Sequence, residues 1–171
     1  PFRRLASVFL DKIVGKEAPT AWTFYELIGR ERALDDVTFE YFVKSLVGRG
    51  LLKYEIHWRP QVDFLLYQEY SDVFSVEHFS EAGRVLKEKI DFDVHDARHL
   101  TGHGTDQYEA ITEGAWHNVP VKELYLLKMN GQLPTAEAMY SQDLYRAVSE
   151  SYKKDIEIYR KWCNSEKLLR I

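Results

Sequence analysis

The chain has 171 residues, enough for one domain with a substantial apolar core. Hydrophobic residues make up 45%, charged residues 29% and aromatics 14%, a composition that excludes intrinsic disorder. The net charge of −4 excludes a generally basic nucleic-acid binder, and one cysteine, Cys163, excludes an internal disulfide and thiolate zinc clusters. Up to Pro60 the charge is +2 and beyond it −6, so any polyanion contact is expected in the first part. There is no signal-peptide pattern and no apolar run of about 18–20 residues, so no transmembrane segment is predicted. The chain begins at Pro1 rather than Met, as a processed or excised piece would.

In chain order, "FRRLASVFLDKIVG" sets Phe2, Leu5, Val8, Phe9, Ile13 and Val14 at helical spacing, with Gly15 as the stop. "EAPTAW" reads as a turn, and Thr20 or Thr23 can cap a helix over "TFYELIGRERAL". In "DDVTFEYFVKSLVGRG", acidic residues precede a helix whose apolar positions are Phe39, Phe42, Val43, Leu46 and Val47, ended by Gly48 or Gly50. "LLKYEIHW" and "VDFLLYQEY" are short and aromatic-rich, which predicts a β-hairpin turning at "RPQ". "SVEHFSEAGRVLKEKIDFDVHDARHL" reads as a helix with a break around Asp91–Asp93. "TGHG" interrupts it, and a further helix is expected from Thr105 or Asp106 to His117. "VKELYLLKM" is helical, "NGQLP" turns, and "TAEAMYSQDLYRAVSESYKKDIEIYRKW" is one long helix or two. Its stripe of Tyr140, Leu144, Tyr145, Val148, Tyr152, Ile156 and Tyr159 is apolar and aromatic. The expected fold is mainly α with a small β-hairpin. Residues 1–72 form a helical, winged-helix-like part and residues 73–171 a helical part carrying a His/Glu cluster, or the two are one continuous domain.

That cluster holds the candidate chemistry. If "VHDARH" is helical, His95 and His99 share a face; if "DQYEAITEGAWH" is helical, so do Glu109, Glu113 and His117. The "LTGHGT" connection allows the two faces to meet as an antiparallel pair. Two imidazoles and one or two carboxylates then converge as ligands for zinc or iron. Asp96 can orient a ligating ring or ligate directly, and His103 and His117 are reserves. A solvated His-x-x-x-His pair is the plain alternative. No G-x-S-x-G, P-loop or G-x-G-x-x-G pattern is present. Cys163 lies beside Arg160 and Lys161, which lower a thiol pKa, although an inert cysteine is the simpler expectation.

The run His95-Asp96-x-x-His99, followed by "LTGHGTD" and a glutamate, resembles the HDxxH…E signature of a coenzyme Q (ubiquinone) biosynthesis family. The resemblance implies an all-helical fold, a bound divalent metal and a prenylated quinone precursor met at a membrane surface. It places the protein inside the cell, in an organelle or peripheral to a membrane. The metal would polarise a ring carboxylate or phenolic oxygen. His95, Asp96, His99 and Glu109, with Glu113 as the alternative carboxylate, are then the metal positions, and His99 and Asp96 the catalytic ones.

A second reading comes from "VTFEYFVKSLVGRGLLKYEIHW", which resembles the recognition helix and first wing of winged-helix domains. It implies a non-catalytic module meeting a protein partner through residues 37–60; a DNA-reading version would turn Lys44, Arg49, Lys53 and Arg59 towards phosphates. The neighbouring Asp35, Asp36 and Glu40 make nucleic acid the less favoured partner.

Overall fold

The computed structural model describes residues 1–17, 19–67, 69–97 and 107–163. As expected, the fold is mainly α with one small sheet. Helix α1 (Phe2–Val8) runs straight into a π-helical turn, Phe9–Ile13, closed by Val14 N–H on the Phe9 carbonyl at 2.8 Å. An ordinary helix buries one stripe, whereas this segment buries Leu5, Ala6, Val8, Phe9, Leu10, Ile13 and Val14. The wider turn rotates the second set of apolar residues onto the same core.

Helix α2 (Thr20–Leu27) follows, then α3 (Phe39–Gly48). The Thr38 hydroxyl accepts the Tyr41 N–H at 3.1 Å, satisfying an otherwise orphaned donor at the start of α3. Thr38→Ala is expected to cost about 1 kcal/mol, read from the urea midpoint. α3 packs Phe39, Phe42, Val43 and Leu46 inward and ends at Arg49, after which Gly50 turns the chain at φ 65°. Past α4 (Phe79–Ile90), Asp91 takes the left-handed conformation at φ 54° and stops the helix where the sequence suggested a break.

Strand β1 (Glu109–Ile111) pairs in parallel with β2 (Gln132–Pro134), which follows α5 (Val121–Met129). The final stripe divides into α6 (Gln142–Ser151) and α7 (Lys153–Cys163). Ser141 caps α6 through the Leu144 N–H at 3.3 Å. One apolar cluster runs from Phe2 to Ile156 and takes residues from both sides of position 72. At its centre Phe9, Phe24, Phe39 and Phe42 surround one another, with Trp58 edge-on to Phe24 and Phe42.

Among the described residues the hairpin expected across residues 51–70 does not form. Leu51–Tyr54 and Gln61–Phe64 are single 3₁₀ turns, and residues 51–65 together form a strap anchored in the core by Trp58. Trp58 explains the difference: its indole is fully buried and donates to the Leu51 carbonyl at 3.2 Å, which folds the segment back on itself. A winged-helix reading therefore has no wing. Three of its four cations are also engaged within the chain: Lys44 with Glu40, Arg49 with Glu31, and Arg59 with the Lys53 carbonyl.

Candidate functional site

Where α1, the strap and α7 meet, they enclose a cleft of about 700 Å³. α1 supplies Phe2, Arg3, Arg4 and Ser7, and Arg4 and Ser7 share a helix face by their spacing. α7 supplies Asp155, Ile158, Tyr159 and Trp162, an i, i+3, i+4, i+7 spacing that sets them on one helix face towards the cleft. The strap and the segment before α4 close the sides with Val62, Phe64, Leu65, Val73 and Phe74. The aromatic stripe of the last segment thus has two uses. Tyr140, Leu144, Val148, Tyr152 and Ile156 are core, whereas Tyr159 lines the cleft.

The wall of this cleft carries Arg4, which has no ion-pair partner among the described residues and lies near the Tyr152 phenol. Arg4 Nη2 donates to the carbonyl of Arg59, while Nε and Nη1 are buried without a hydrogen-bond partner among the described residues. A buried donor left unsatisfied costs about 1–3 kcal/mol, more when charged, and an incoming anion relieves that cost. Asp155, also on the wall, is buried, and its carboxylate accepts Gln61 N–H at 2.7 Å and Val62 N–H at 3.0 Å. Its lone pairs are turned to the strap backbone. The Tyr152 phenol donates to the Trp58 carbonyl. Burial pushes its pKa well above that of a free phenol, with Arg4 pulling partly the other way, so the hydroxyl stays a donor. His57 forms the described histidine–carboxylate pair, Nδ1 to Glu55 Oε1 at 2.6 Å, but does not line the cleft.

The candidate metal positions singled out in the sequence and described by the structure lie outside this cleft. His95 and Asp96 are exposed on the coil beyond α4. His99 and His103 lie outside the described residues. Glu109 begins β1, exposed, and accepts from Gln132 Nε2 at 2.8 Å. Glu113 is exposed in the bend before Gly114, whose φ is 105°. His117 sits in the 3₁₀ turn Trp116–Asn118, its Nδ1 buried and without a hydrogen-bond partner among the described residues. The helix expected over 105–117 does not form across 109–117, because Glu109–Ile111 is drawn into the sheet by Gln132–Pro134. Glu109, Glu113 and His117 therefore share no helix face. Among the described residues no group of three or more His, Cys, Asp or Glu is placed to hold a metal.

Sequence reasoning missed Arg4 and Asp155. The signal for Asp155 was present: one acid inside the apolar stripe, three residues after Tyr152. Arg4 was hidden because an arginine on an amphipathic helix ordinarily extends into water.

Two comparisons with known proteins find nothing similar: no curated protein and no solved structure matches. A third finds the model of the sulfotransferase family matching residues 1–161. That match overturns the coenzyme Q resemblance, which rested on about fifteen residues around His95. With it go the zinc or iron cofactor, the prenylated quinone precursor and the polarised ring carboxylate. The winged-helix interaction module is likewise replaced.

Proposed function

The chain belongs to the sulfotransferase family, and from that premise we propose that its cleft serves sulfuryl transfer, with Arg4 holding an anionic group of the donor or of the sulfated product. In such a transfer the acceptor oxygen forms a bond to sulfur as the donor's S–O bond breaks. The bonding pair leaves with the donor oxygen, and the acceptor's proton passes to a base or to water. Negative charge gathers on the peripheral oxygens and the leaving oxygen. A fixed guanidinium in an apolar surround stabilises that charge more than the same group in water does.

The observation that carries the reading is the pair of unpartnered Arg4 nitrogens at the wall of a largely apolar cleft. Ser7, one turn further along α1 and exposed, offers a hydroxyl to the same anion. The cleft takes its walls from both parts of the chain divided at position 72, and this favours one continuous functional unit over two. Among the described residues no helix is long and apolar enough to cross a membrane.

Sulfate titration by calorimetry on wild type and Arg4→Gln tests the reading. Saturable binding in the wild type, lost in the folded variant, is expected. Equal binding by the two proteins would remove Arg4 from the site.

A further inference from the structure

The guanidinium of Arg4 is aimed by a carbonyl, and that carbonyl belongs to a strap which other side chains hold. Within five consecutive residues, Trp58 to Val62, the backbone is gripped three times from outside. Tyr152 donates to the Trp58 carbonyl, Arg4 donates to the Arg59 carbonyl, and the Asp155 carboxylate takes the N–H groups of Gln61 and Val62 at 2.7 and 3.0 Å. Pro60 sits between the grips and removes one donor that would otherwise need a partner. Tyr152 and Asp155 lie three residues apart at the α6–α7 junction, both buried, so they reach the strap as one unit.

We propose that Asp155 and Tyr152 are positioning residues for the Arg4 anion site, acting through the Trp58–Val62 strap. The inference rests on the reading of Arg4 given above and adds how that site is built. With Nη2 committed to the Arg59 carbonyl, the planar guanidinium has one orientation, and Nε and Nη1, buried and without a partner among the described residues, are the donors left for an anion. Asp155 shares the cleft with Arg4 but spends its charge on two backbone donors. If the strap moves, the Arg59 carbonyl moves and the fork turns with it.

Electrostatics and positioning predict opposite signs, which makes the inference testable. Removing a carboxylate from the wall of an anion site should strengthen anion binding if the carboxylate is a bystander. Loss of a positioning clamp should weaken it. The experiment measures the sulfate dissociation constant of the full chain by calorimetry, below the unfolding transition, with folded fraction checked by circular dichroism. The proteins are wild type, Asp155→Asn, Tyr152→Phe and Arg4→Gln. Asp155→Asn is expected to bind sulfate roughly tenfold more weakly, the effect of losing about one well-made hydrogen bond. Tyr152→Phe changes no charge and is expected to move the same way by a smaller factor; it carries the test if Asp155→Asn does not fold. Wild-type affinity in both folded variants, or tighter binding in Asp155→Asn, overturns the positioning role while leaving Arg4 in place. If Arg4→Gln binds as wild type does, the Arg4 reading itself fails and the positioning role falls with it.

Discussion

Trp58→Ala is expected to lower the free energy of unfolding by about 3–5 kcal/mol, the range found when a large buried aromatic is truncated. The indole is fully buried, stands edge-on to Phe42 with ring centroids 5.7 Å apart and to Phe24 at 6.3 Å, and donates to the Leu51 carbonyl. Truncation leaves a cavity beside two rings that cannot collapse into it and an orphaned carbonyl in the strap. A domain of this size has a total stability of about 5–15 kcal/mol, so the variant is expected to sit close to its unfolding threshold. The urea midpoint, with an unchanged dependence on denaturant, reads the effect. A loss below about 1 kcal/mol would mean that the strap repacks without its anchor. Because Trp58 also presents the carbonyl that Tyr152 holds, the folded fraction is expected to bind sulfate more weakly as well.

The largest effect on function is expected at Arg4. Charge-assisted hydrogen bonds contribute about 1.5–3 kcal/mol each, so Arg4→Gln is expected to weaken sulfate binding by about 10- to 100-fold. Arg4→Lys is not expected to restore it. A single ammonium cannot both occupy the Arg59 carbonyl and present a planar fork to the anion, whereas the guanidinium does both. Calorimetry at fixed ionic strength is the measurement, because part of the attraction is screened by salt. Near-wild-type binding by the lysine variant would show that charge alone suffices. Stability is expected to change little in Arg4→Gln. The variant gives up a hydrogen bond to the strap but also removes two buried nitrogens that have no partner among the described residues. A group that binds ligand well and is poorly satisfied without it is the ordinary signature of a functional side chain.

Much of the secondary structure was legible from periodicity. The apolar spacing of Phe2 through Ile13, of Phe39 through Leu46 and of Leu144 through Ile156 marked α1 with its π turn, α3, and the α6–α7 pair. The stops at Gly50 and Asp91 followed from local backbone chemistry. The strap was illegible because its aromatic content suits a strand, while a single buried indole decides otherwise. The stretch around Glu109 and Glu113 failed for a related reason. Its glutamates at helical spacing suit a helix face, but Glu109–Ile111 pairs with residues 132–134, on the far side of α5. Of the histidine–carboxylate cluster, the structure describes His95, Asp96, Glu109, Glu113 and His117, and the described residues form no metal-holding group, because composition and spacing do not report convergence in space. The family match covers residues 1–161 and therefore spans the cleft-forming helices as well as the cluster.

The amino-acid sequence by itself determined the helical class, the core faces of α1, α3 and α6, and the limits that charge and cysteine content place on partners. These are properties of neighbours within one or two turns, where spacing converts directly into a buried face. Only the tertiary structure decided that Arg4, half-buried, would bury two donors without a partner among the described residues. It alone decided that Asp155 would close on Gln61, 94 residues away, and that the strap would form no hairpin. Those outcomes depend on which distant groups pack together, and each was set by burial of a polar or aromatic side chain whose partner lies beyond the reach of any local pattern.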